Sequence, residues 1–201
     1  MKREDSLFVT PFLGRFSSCK VFPSLCAAMT SGLLVGSGFM TAFYSLQNSF
    51  SWLLFLSGRP ETGCSFFSGF SSILLNLLFF VILLYLLGMT IFGAIGVPVL
   101  LFFRGAAVGA WLISFFSENV LKDLPALLLC YLPATVAASL LMILFGTRAL
   151  IFSRRLAKVS FSAKPEDLDF VSYLKDFLTF ICFAVCTSLF GGFLLVLHMI
   201  F

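Results

Sequence analysis

Residues 73–91 read ILLNLLFFVILLYLLGMTI, nineteen positions without one charge and with a single amide, Asn76. A helix crossing the hydrocarbon core needs about 20 apolar residues. This stretch is long enough to span, and no polar face interrupts it. Its surroundings repeat the pattern. No charge lies between Lys20 and Arg59, between Glu61 and Arg104, between Asp123 and Arg148, or after Asp176.

Composition agrees. Of 201 residues, 60% are hydrophobic and 11% charged, 28 are phenylalanine, and the mean hydropathy is +1.09. A soluble domain carries about 25% charged residues. So little polar surface does not cover so much apolar surface, and lipid is the matching solvent. The expected fold is an all-α helical membrane bundle of about five spans, near 21–44, 73–93, 97–117, 124–146 and 176–198. Residues 1–20 are expected as an N-terminal arm. Their apolar positions suit a short surface-lying segment that Pro11 weakens.

The third span is the difficult one, because Arg104 lies inside it. A charge at mid-bilayer costs about 2.5–3.5 kcal/mol on insertion scales. Two arrangements avoid that cost. Residues 95–104 form a re-entrant or interfacial segment, with the span starting at Gly105. Alternatively the helix starts near Val97, and Arg104 snorkels or faces a polar bundle interior. Gly93, Gly96 and Pro98 favour a break or tight turn at the start of this region.

Basic residues in short loops set orientation. Lys2, Arg3, Arg15, Lys20, Arg104, Arg148, Arg154, Arg155, Lys158, Lys164 and Lys175 fall on one side of a five-span chain, and only Arg59 and Lys122 on the other. The expected topology is a multi-pass plasma-membrane protein with a cytoplasmic N-terminus and an outer C-terminus. The outer loop, about 45–72, ends in Phe66, Phe67 and Phe70, expected at the interface. The inner loop, about 146–176, is the largest soluble piece.

Small residues mark helix contacts. Gly32–Gly36 reads GLLVG and Gly105–Gly109 reads GAAVG. Lipid supplies no hydrophobic drive between helices, so close approach at glycine does. Packing within the chain is the favoured reading, and a homodimer face is the other. Ala134, Ala137, Ala138 and Ser139 form a third small-residue stripe. Pro133 is expected to kink the fourth span, with Thr135 or Tyr131 serving the freed carbonyl. Asn76 is read as an interfacial cap or an interhelical hydrogen bond just inside the outer end of its span.

Catalytic and metal patterns are missing from the sequence. The nine acids, Glu4, Asp5, Glu61, Glu118, Asp123, Glu166, Asp167, Asp169 and Asp176, all fall in termini or loops of this reading. No HExxH, GxSxG or phosphate-loop pattern occurs. Of the six cysteines only Cys182 and Cys186 are close together, and the sole histidine is His198. No enzyme, cofactor, metal or nucleic-acid partner is expected.

Residues 76–155 resemble the stage II sporulation protein M family. The resemblance is carried by Asn76 early in the second span, Leu87-Gly88 late in it, and Gly96-x-Pro98. It continues with Phe103-Arg104-Gly105, Val108-Gly109, Ser114-Phe115, Leu132-Pro133 and Phe152-Ser153. Members often carry Pro-Gln-Asn where this chain has Pro133-Ala134-Thr135, which leaves Thr135 as the remaining polar group there. The resemblance implies a membrane protein of endospore-forming bacteria. Such a protein anchors or localises peptidoglycan-degrading enzymes that remodel septal wall during forespore engulfment. Cell-wall hydrolases are then the expected partners. The alternative is a permease-like subunit for a small or lipidic solute, with the Arg104–Gly109 segment, the Gly96–Pro98 break and the Pro133 kink facing one another.

Overall fold

The computed structural model of the protein describes residues 21–42, 66–118, 131–161 and 170–200, the side chains of 117–118 and 195–200 excepted. Five helices account for nearly all of them. They are α1 (Val21–Ala42), α2 (Phe66–Gly88), α3 (Gly93–Glu118), α4 (Leu132–Phe161) and α5 (Phe170–Ile200). Each is long and apolar enough to cross a membrane. The protein is an all-α, multi-pass membrane bundle.

Five boundaries differ from the sequence reading by four residues or more, two of them where α2 ends at Gly88 rather than 93 and α3 begins at Gly93 rather than 97. Helix α2 starts at Phe66 rather than near residue 73, so Phe66, Phe67 and Phe70 belong to a helix and not to a loop. Stacking of Phe66 on Phe70, centroids 6.3 Å apart, supports that added turn. Helix α4 continues fifteen residues past 146, and α5 begins at Phe170. Arg148 and Asp176 are therefore helical, not in a loop. Their side chains meet at 3.7 Å, which draws the extended ends of α4 and α5 together. The N-terminal arm and the outer loop before residue 66 lie outside the described residues, as do 124–130.

Between α2 and α3 the chain reverses in four residues. Met89 N donates to Tyr85 O at 3.1 Å, Thr90 N to Leu87 O at 3.0 Å, and Gly93 N to Thr90 O at 3.2 Å. The Thr90 hydroxyl also donates to Leu87 O at 2.8 Å. Helix ends leave backbone groups orphaned, and any left unsatisfied within the hydrocarbon would be costly. This turn satisfies several locally. Gly93 is required here, because a Cβ would run into the Leu87 carbonyl oxygen.

Past the turn, α3 runs without interruption from Gly93 to Glu118, with Pro98 in its second turn. The re-entrant arrangement of 95–104 is thereby replaced by a continuous helix. The expected break is real but sits at 89–92, before Gly96 and Pro98 rather than within them.

The most extensive helix contact joins α1 and α3, which run parallel. A Cβ at Gly32 would meet the Phe102 carbonyl, and one at Gly36 the Ala106 carbonyl. From the other side, Gly105 meets Met29 O and Gly109 meets Leu33 O. The contacts are related by one shift. Positions 32 and 105, 36 and 109, 29 and 102, and 33 and 106 are each 73 apart. Two GxxxG faces from one chain thus pack on each other as a pseudo-symmetric parallel pair, the geometry that close backbone approach in lipid permits. Both motifs are engaged inside the chain.

Helix α4 closes the bundle. Leu25, Val97, Leu101, Met142, Phe145 and Leu150 are buried in its core. At Gly146 an added Cβ would stand 3.2 Å from Leu101 and 3.6 Å from Leu25, so α4 touches both members of the glycine pair. Helix α5 packs antiparallel along α2. The outward surface carries large apolar side chains such as Leu34, Leu75, Ile95 and Phe183, as lipid contact demands.

Candidate functional site

Arg104 is the only charged residue between Gly93 and Ser117 of α3, and it sits near the middle of the helix. Its side chain is 3% exposed. A guanidinium Nη1 donates to Asn76 Oδ1 at 2.9 Å. Its central carbon stands 5.0 Å from the centroid of the Phe80 ring. Asn76 and Phe80 are one turn apart on α2, so one stripe of that helix presents both a carbonyl oxygen and an aromatic face to the cation. Hydrogen bonds to charged groups are worth more than neutral ones, and a desolvated cation–π contact adds further attraction.

The sequence places Asn76 just inside the outer end of its span. With α2 beginning at Phe66 it is the eleventh of 23 residues, at the helix centre. The interhelical hydrogen bond is the reading that holds, and its partner is Arg104. Phe80 was not singled out in the sequence. The signal available was its i, i+4 spacing from Asn76, which is hard to read in a run containing so many phenylalanines.

A second constellation gathers at the Gly88–Gly93 end of the bundle. Tyr173 of α5 donates its hydroxyl to Tyr85 O at 3.2 Å. Its ring stacks on Phe152 with centroids 4.3 Å apart, while Tyr85 stacks on Phe177 at 4.3 Å. Gly88 leaves room for the Tyr173 hydroxyl. Ser153 of α4 is fully buried and donates to Thr90 O at 2.8 Å in the turn. Helices α2, α4 and α5 are thus locked together around the turn that leads into α3. Of these residues the sequence reading had only Gly88 and Phe152-Ser153, through the family resemblance.

The remaining candidates do not converge. Gly96 packs beside Leu87, and Val97 beside Gly146. Pro133 is the second residue of the described α4. It neighbours Tyr131, whose ring meets Trp111 at 5.9 Å and Phe115 at 6.1 Å. Gly96–Pro98 and Pro133 therefore occupy opposite ends of the bundle and do not face one another. The carbonyl that Pro133 would free is that of Leu129, which lies outside the described residues, as does the expected kink. Thr135 donates to Tyr131 O at 3.0 Å and Leu132 O at 2.9 Å, which supports its own helix start and reaches no other helix by these bonds.

Among the described residues no group of three or more His, Cys, Asp or Glu is placed to hold a metal. Cys26, Cys182 and Cys186 are free thiols. Asp176, placed in a loop by the sequence reading, lies inside the α5 span, close to Arg148 near the aromatic cluster and not beside Arg104. The centre at Arg104 holds a fixed positive charge and binds helices together. No protein-family model, curated protein or solved structure matches the chain.

Proposed function

We propose that this protein is a non-enzymatic membrane scaffold. In this reading it localises peptidoglycan hydrolases at the outer face of the plasma membrane during forespore engulfment. The family likeness of residues 76–155 supplies the biological setting. The observation that carries the scaffold reading is the Asn76–Arg104 contact. The charge of the third span is turned inward onto α2, and the glycine faces of α1 and α3 are engaged with each other. A frame braced in this way suits a platform better than a solute path. With Arg104 inside the bundle, ten of the other twelve basic residues on one side support a cytoplasmic N-terminus. The docking surface is then the outer face, formed by residues 45–65 with the first turn of α2, residues 118–123 and the C-terminus.

The test is affinity capture of the full chain from sporulating cells, together with a deletion strain. Co-purification of a wall hydrolase and arrested engulfment are the expected results. A strain that engulfs normally, or a capture without any hydrolase, defeats the proposal. Loss of a transport activity on Arg104→Ala would move the assignment to a permease-like subunit.

A further inference from the structure

We propose that the projecting end of α4 is a docking surface for anionic phospholipid headgroups, carried by Arg154, Arg155 and Lys158. Helix α4 has 30 residues. At 1.5 Å per residue it is about 45 Å long, against a hydrocarbon core of about 30 Å. Its last turns therefore stand in or beyond the headgroup layer.

The depth of these residues is set by their neighbours. Ser153 is hydrogen-bonded to Thr90 in the α2–α3 turn, and Phe152 stacks on Tyr173. Arg154 and Arg155 follow directly, so they lie level with the turn. Met89, Ile91 and Phe92 of that turn are exposed apolar side chains, as expected where a chain reversal rests on the hydrocarbon boundary. Headgroup phosphates occupy the same level.

Charge and shape are complementary to that layer. Arg154, Arg155 and Lys158 are all exposed. Asp176, the one described acid near this end, lies 3.7 Å from Arg148. Arg154, Lys158 and Phe161 share a helix face by their i, i+4, i+7 spacing. Phe161 is 83% exposed and offers an apolar anchor beside the cations. Basic residues flanked by an aromatic match an anionic interface, with long side chains reaching phosphates and the ring entering the acyl boundary. Glu166, Asp167 and Asp169 follow outside the described residues, so the experiment uses the full chain.

The full chain is reconstituted in phosphatidylcholine bilayers containing spin-labelled phosphatidylglycerol or spin-labelled phosphatidylcholine. Electron paramagnetic resonance then gives the relative association constant of each lipid with the protein. The wild type is expected to prefer phosphatidylglycerol, with a preference that falls as salt rises. Arg154→Gln/Arg155→Gln/Lys158→Gln lowers that preference by on the order of fivefold per charge removed. Arg154→Lys/Arg155→Lys/Lys158→Arg keeps it. Thermal melting in pure phosphatidylcholine reports whether each variant folds. A wild type without the preference, a preference that salt does not change, or a Gln variant that keeps it overturns the proposal. Should the Gln variant fail to fold, the wild-type salt dependence decides.

Discussion

Arg104 of α3 donates a 2.9 Å hydrogen bond to Asn76 of α2, joining the centres of two apolar helices. A charge in lipid is costly alone, so the pair is strongest as a pair. Asn76→Leu is expected to lower stability by about 2 kcal/mol, because it strands a buried cation. Phe80→Leu costs about 1 kcal/mol through the lost ring face. Asn76→Leu/Arg104→Met should recover most of the loss, since no charge then needs a partner. Unfolding titrations in mixed micelles measure all three. A double variant no more stable than Asn76→Leu would show that the two side chains do not act together.

The glycine crossing makes a contrast within one helix. Gly36→Val puts side-chain atoms against the Ala106 backbone, while Gly38 has nothing within 4 Å of an added Cβ. Gly36→Val is expected to destabilise by about 2 kcal/mol or more through overpacking. Gly38→Ala should be neutral, or stabilising by up to about 1 kcal/mol from helix propensity. Thermal melts of the two variants in the same detergent separate them. Equal behaviour would place the α1–α3 contact elsewhere.

Gly88 and Tyr173 are coupled through one oxygen atom. A Cβ on Gly88 would strike the Tyr173 hydroxyl first, with the Ala149 Cβ and the ring at 3.0 Å behind it. Gly88→Ala is expected to destabilise by about 1–3 kcal/mol. Tyr173→Phe alone should cost about 1 kcal/mol for its bond to Tyr85 O. The double variant should be more stable than the sum of the two, because the clashing atom is gone. Partial rescue is the expected degree, since the Ala149 contact remains.

Side-specific labelling checks the charge-based orientation. In a chain freed of its native cysteines, Ser160→Cys should react with an impermeant maleimide only from the cytoplasmic side. Phe67→Cys should react only from outside. Reversed labelling would invert the topology and move the proposed docking surface to the other face.

The primary structure by itself determined the solvent, the number of spans and the bias of charge, because each depends on residue type summed along a line. Uncharged intervals such as 177–201 are visible without coordinates, and α1 at Val21–Ala42 nearly matches the span read there. The GxxxG motifs were legible as contact faces for the same reason. Tertiary structure decided what those faces meet. That Gly32–Gly36 packs on Gly105–Gly109 at a shift of 73 depends on a helix in between being threaded back, which no local pattern encodes. It also decided the fate of Arg104. A charge in an apolar run is ambiguous until its partner is known, and that partner, Asn76, is 28 residues away on another helix. Aromatic or basic residues extend helices past the hydrocarbon, as at Phe66 and Arg154, where hydropathy does not mark the helix end. Hydropathy marks the edge of the lipid core, whereas backbone hydrogen bonding sets the edge of the helix.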